Sequence, residues 1–291
     1  MLFYKAFARY EYGDEDKRYS EIASLFSEAS KTYMELRDYF IKPDTPNIIN
    51  RYYDNSIAQC YSEIILCCIK CNGKLENIEA IKNYKSLEQF IEEAKKYTYS
   101  IDIGDSVGHY SKVDEKYYKN KGLLYERIAR LMNDESEYED NLKKAIEYYE
   151  KAAIYGSQKK THYVLCSAYY KLLKELIRKN SKKDYIAEDS RLSVWTYQLT
   201  NNIESEEFKS YILKYNKASR RAREMWPSDL LYRWMTIMAD IFTGIIDKDK
   251  RNMILKSVNA ERKAIISVKL PNTYMEREID NAIRNINEGL E

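Results

Sequence analysis

Apolar side chains recur at i, i+3, i+4 and i+7 along almost the whole chain, the pattern of helices that each bury one face. Between Glu206 and Met225, for instance, Tyr211, Tyr215, Ala218, Ala222 and Met225 share one side and leave the charged residues on the other. The same periodicity predicts helices over Asp14–Phe40, Asn47–Cys71, Ser86–Tyr97, Asp114–Met132, Tyr138–Tyr155, Lys159–Lys179, Ser228–Ile246 and Tyr274–Asn287. Breaks fall between them. Gly13, Gly73, Gly104, Gly108 and Gly156 separate segments, Pro43 and Pro46 mark a turn, and Pro227 and Pro271 stand just ahead of helical runs. The stretch Thr98–Lys112, rich in Ser, Gly and Asp, reads as a connection. Strands have little room, so the expected fold class is all-α. No Pro/Gly/Ser-rich linker interrupts the chain, and the expected organisation is one helical-repeat domain over 1–291. If it subdivides, the expected parts are 1–105 and 113–291.

Repeated spacing gives that array a more definite form. Ala145, Tyr149 and Ala152 follow a small, aromatic, small pattern at 4+3 spacing, and Tyr163, Cys166, Ser167 and Tyr170 place aromatics around an apolar and a small residue further on. Small residues let two helices approach closely, while aromatics fill the gap on either side. The first group resembles the second helix of a tetratricopeptide repeat, and the second group resembles the first helix of the next one. Specific resemblance spans Leu123 to Leu173. The segment Tyr19–Tyr39, with Ile22, Ala23, Phe26, Ala29 and Tyr33, also looks like the helices of SNAP-type tetratricopeptide-like adaptors. Related patterns start at Ile22, Leu87, Ala145 and Tyr211, at intervals of 65, 58 and 66 residues, whereas a regular array repeats about every 34. This chain therefore departs from the family through longer helices or extra hairpins. The resemblance implies antiparallel hairpins stacked as a right-handed superhelix that holds a peptide or protein along its concave surface. It implies no chemistry.

Composition adds a chain able to form a core: 44% hydrophobic, 32% charged, with mean hydropathy −0.66. Tyrosine is unusually common, at 29 of 291 residues, against 8 Gly and 4 Pro. At a helix contact a tyrosine buries its ring and keeps its hydroxyl at the edge, whereas on a surface it can anchor a partner. Most are expected in core or rim. Nineteen lie in residues 1–150, so a tyrosine-lined groove is expected in that half.

Charge is also uneven. The net charge of +2 divides into −6 over residues 1–150 and +8 over 151–291. The densest basic group, Lys209, Lys214, Lys217, Arg220, Arg221 and Arg223, is the candidate partner-binding face, suited to an acidic protein tail or to phosphates. Arg178, Lys179, Lys182 and Lys183 form a second basic patch, and Lys159 with Lys160 a third. The expected function is a non-enzymatic scaffold or adaptor with a protein or peptide partner; nucleic-acid binding through the basic half is the alternative.

Candidate chemistry is sparse. No phosphate-binding glycine loop, GxSxG elbow or HExxH pair occurs, and His109 and His162 stand apart from any nucleophile motif. No cofactor is expected. Cys60, Ile64, Cys67 and Cys71 form an apolar stripe, and neither His nor a second CxxC completes the Cys68–Cys71 pair, so these thiols read as packing and no metal is expected. The odd cysteine count argues against a disulfide framework, and with no basic, apolar and cleavage-site series at the N-terminus a cytoplasmic chain is expected. The longest apolar run, Ile64–Ile69, is far shorter than a bilayer span, so no membrane is expected. The Ser228–Ile246 helix is apolar nearly all round and needs cover, either from its own chain or from a homodimer through 228–246.

Overall fold

The computed structural model describes residues 15–42, 47–70, 87–96, 111–132, 134–179, 206–246 and 251–267. Every regular element among them is an α-helix, which settles the fold class as all-α. In chain order they are α1 (Glu15–Phe40), α2 (Asn47–Lys70), α3 (Leu87–Lys96), α4 (Ser111–Ala129), α5 (Glu135–Tyr155), α6 (Lys159–Lys179), α7 (Glu206–Met225), α8 (Leu230–Ile246) and α9 (Arg251–Ser267). Periodicity locates the first eight to within three residues of these bounds. Helix α9 is an addition to the sequence reading. The Tyr274–Asn287 helix, the glycines at 13, 73, 104 and 108, and Pro43, Pro46, Pro271, Cys71, His109, Lys182 and Lys183 lie outside the described residues, as does most of Thr98–Lys112.

The chain divides into two compact units, residues 1–157 and 158–291. The break falls between α5 and α6, at the edge of neither part expected from the sequence. It also separates the two halves of the repeat pattern: Ala145, Tyr149 and Ala152 belong to the first unit, and Tyr163, Cys166, Ser167 and Tyr170 to the second.

In the first unit α1 turns back along α2, and Ile22, Phe26 and Ala29 share a core with Ile57, Cys60, Ile64 and Cys67. Each such Ile or Phe contributes about 1.5–3 kcal/mol by leaving water. Helix α3 rests on α2, with Phe90 5.2 Å from the Tyr61 ring. Helices α2 and α4 are joined by polar contacts that advance together: Asn120 donates to Asn55 at 2.9 Å, Arg127 donates to Ser62 at 2.7 Å, and Arg127 pairs with Glu63 at 3.0 Å. The two helices are therefore parallel. Helix α5 reverses direction after Asp134, which caps it by accepting from the Glu137 amide at 2.9 Å. Close packing of α4 on α5 depends on two glycines. A Cβ at Gly122 would meet the Tyr149 ring at 2.5 Å, and one at Gly156 would collide with the Glu115 carboxyl.

The second unit is built on a sequential up-down-up arrangement. Tyr169 packs on Tyr211 and Tyr215, and His162 on Trp226, so α6 and α7 are antiparallel. Asn216 donates to Thr243 at 3.2 Å and Arg220 to Asp240 at 2.6 Å, which sets α8 antiparallel to α7 in turn. Tyr170 meets both Trp234 and Phe242 of α8, joining the three helices through one aromatic core. Helix α9 lies against α8 and buries Ile254 and Val258. Tyr232, Trp234, Met235, Ile237, Met238, Ile241 and Phe242 are all buried within a single chain. These seven apolar positions of α8 thus find their cover within the chain, while Leu230 and Leu231 are half-buried.

Candidate partner-binding surfaces

Helix α7 turns Phe208, Ile212, Tyr215, Ser219 and Ala222 inward, a 4-3-4-3 stripe rotated from the expected one, since Tyr211 and Ala218 are half-buried and Met225 is 38% exposed. The six basic candidates then separate. Lys209 pairs with Glu206 at 3.0 Å, and Arg220 reaches across to Asp240 at 2.6 Å while also bonding Asn216. Lys214 sits 5.8 Å from the centre of the Tyr211 ring. Lys217 and Arg221 are exposed and form no ion pair with the described residues, and Arg223 is half-buried. Asp240 feels the conflict most directly: burial pushes its carboxyl up, and Arg220 and Arg223 only partly reverse this. Of the other basic groups, Lys159 is engaged with Asp229, Lys160 and Lys179 are exposed, and the Arg178 side chain lies outside the described residues.

A different surface closes the first unit at the α1–α2 turn. Leu36, Tyr39, Phe40, Ile49 and Tyr52 are 38, 75, 52, 38 and 55% exposed, although all are large and apolar. Tyr39 packs edge-on against Phe40 at 4.9 Å, and Tyr52 against Tyr53 at 5.6 Å. Arg37 and Asp54, 3.0 Å apart, hold the two helix ends together just behind them. Exposed apolar residues normally occur singly, so this concentration is the candidate contact surface of the first unit.

No protein-family model, curated protein or solved structure matches this chain. The surfaces are therefore judged by what their side chains can do.

Eight tyrosines among the described residues are spent on packing. Tyr61, Tyr117, Tyr118, Tyr125, Tyr149, Tyr169, Tyr215 and Tyr232 are buried. Between α4 and α5 they alternate with cations: Lys121 lies 4.4 Å from the Tyr117 ring and 5.1 Å from Tyr148, and Lys151 lies 5.7 Å from Tyr118. Of the seven repeat positions, Ala145, Tyr149, Ala152 and Cys166 are fully buried, while Ser167 and Tyr170 are half-buried. Tyr163 departs from that pattern: it is 39% exposed and is not a core position.

Cys60, Cys67, Cys68 and Cys166 are free thiols in the cores, and burial pushes Cys60 and Cys166 up to about 12. Among the described residues no three metal-ligating side chains converge. Nor is any described helix long and apolar enough to cross a membrane. His162 is buried against Trp226, a packing role.

Sequence reasoning overlooked the α1–α2 tip. Its signal was legible as two aromatic pairs, Tyr39–Phe40 and Tyr52–Tyr53, that flank Pro43 and Pro46 in the sequence.

Proposed function

We propose that the protein is a non-enzymatic interaction scaffold, in which packed helix hairpins carry the apolar α1–α2 tip to a partner protein. The observation that carries this reading is the concentration of Leu36, Tyr39, Phe40, Ile49 and Tyr52 in solvent at one hairpin end. Aromatic anchors of this kind supply most of the binding energy in protein interfaces. A tetratricopeptide-like stack is the architecture this function would use. Support comes from the antiparallel α1–α2 and α4–α5 pairs, which pack side by side through α2 and α4 as neighbouring hairpins of a stack do. The free thiols fit a reducing compartment such as the cytoplasm.

Affinity capture with and without nuclease treatment tests the scaffold with the full chain and a Tyr39→Ser/Tyr52→Ser variant whose helicity is checked by circular dichroism. A stoichiometric protein held by the native chain and lost from the variant is the expected result. Equal recovery by both would remove the tip from the binding surface, and recovery of nucleic acid in place of protein would overturn the scaffold.

A further inference from the structure

The outward side of α7 combines an exposed leucine with two cations, Lys217 and Arg221, that form no ion pair among the described residues. From Phe208 to Arg223 the sequence holds six basic residues and no acid. The fold supplies carboxylates to two of them, Lys209 and Arg220, and places the Tyr211 ring beside Lys214. Lys217 and Arg221 are exposed one turn apart, with no acid paired to either among the described residues. Leu213 stands one turn before Lys217 and is 66% exposed. Leu213, Lys217 and Arg221 thus form one line along the helix, about 12 Å long at 1.5 Å per residue.

We propose that this line docks an acidic amphipathic helix of a partner protein, one apolar side chain covering Leu213 and carboxylates at one-turn intervals meeting Lys217 and Arg221. Charge complementarity names the occupant as acidic, and Leu213 decides between the two acidic classes. A phosphate backbone has no apolar group to set against a leucine at the head of the line. It also presents a charge about every 1.7 Å of duplex, which favours a long run of free cations, whereas here Lys209 and Arg220 are turned to acids of their own unit. A peptide helix offers apolar and acidic side chains at the same one-turn spacing as the α7 line. This surface is independent of the α1–α2 tip and stands or falls without it.

Fluorescence anisotropy on the full chain tests the assignment with three labelled probes. One is a helical 15-residue peptide with a leucine one turn before two successive one-turn glutamates; the second has serine for that leucine; the third is a single-stranded 15-nucleotide DNA. The first peptide is expected to bind at least about tenfold more tightly than the second, the gain of burying one leucine against another. It should lose about tenfold or more on Lys217→Glu/Arg221→Glu, and most of its preference over the serine probe on Leu213→Ser. The Tyr39→Ser/Tyr52→Ser variant should bind it as the native chain does. Absence of binding by the first peptide, equal binding of both peptides, tighter binding of the DNA, or insensitivity to the Lys217/Arg221 reversal would each overturn the proposal. All three substituted side chains are exposed, so the variants keep the fold, and an unchanged circular dichroism spectrum verifies it.

Discussion

Tyr149 and Tyr215 are both fully buried, yet their hydroxyl groups end in different surroundings. The Tyr149 hydroxyl donates to Glu126 at 2.6 Å, and burial together with the Glu126 charge holds its phenol well above the ordinary range. The Tyr215 hydroxyl has no hydrogen-bond partner among the described residues, and burial raises its phenol too. A buried donor bonded to a charged acceptor is worth about 1.5–3 kcal/mol, whereas an unsatisfied one only carries its desolvation cost. Tyr149→Phe is therefore expected to lower the urea unfolding free energy by about 1.5–3 kcal/mol, and Tyr215→Phe to leave it unchanged or raise it by up to about 1 kcal/mol. Equal losses in the two variants would refute this contrast. The Tyr149 ring also explains Gly122: an alanine would ordinarily favour a helix by about 0.5–1 kcal/mol over glycine, but here its methyl has no room.

Helix α8 begins at a junction where one carboxylate holds two elements. Asp229 accepts from the amides of Leu231 at 2.9 Å and Tyr232 at 3.4 Å, and its other oxygen pairs with Lys159 of α6. Tyr232 completes the clamp by donating to the Lys159 carbonyl at 2.5 Å. Burial, the largest single influence, pushes the Asp229 carboxyl up, but the Lys159 bond and charge and the two amides together hold it below the ordinary carboxylate range. A folded-state pKa below the unfolded value means that this stabilisation is fully present above the ordinary carboxylate pKa. It is lost as pH falls through the lower, folded value. Asp229→Ala should cost about 1–2 kcal/mol at pH 7 through the lost cap alone. Asp229→Asn keeps a capping acceptor and should flatten the acid limb of the stability profile; an Asn variant with the native pH dependence would count against the charge pair. Asp240 works in the opposite sense, since burial raises its folded pKa, so protonation on acidification favours the fold.

At the scale of the whole molecule, two units with separate cores imply two cooperative blocks. All three tryptophans, Trp195, Trp226 and Trp234, lie in residues 158–291. Tryptophan fluorescence therefore reports the second unit alone, while far-ultraviolet circular dichroism reports helices of both. In urea the dichroism is expected to show a transition component that fluorescence lacks, the non-coincidence of probes that signals departure from two-state unfolding. Superimposable curves would mean that the units unfold as one. The same division places the two proposed contacts, the α1–α2 tip and the α7 line, on different units, so each can be abolished while the other keeps its core intact.

Helix positions were legible in the sequence because the i, i+3, i+4 pattern belongs to one helix and needs no neighbour. Ile22, Phe26 and Ala29 on α1, the Cys60–Ile64–Cys67 stripe on α2 and Tyr149 on α5 are all buried, as local periodicity implies. Helix α9 escaped notice because Ile254 and Val258 are its only positions known to be buried, too short a stripe to stand out. Neighbour choice was decided by the tertiary structure. The parallel register of α2 and α4 depends on Asn55–Asn120 and Ser62–Arg127 bonds spanning 65 residues, and the break after residue 157 falls inside the best repeat match. The basic run on α7 was visible, but which of its cations remain free was not. Arg220 is satisfied by Asp240 on the next helix, whereas Lys217 and Arg221 form no ion pair with any of the described residues. Local periodicity determines where helices form and which face turns inward; contacts between residues far apart in the chain determine which charges and apolar groups are left for a partner.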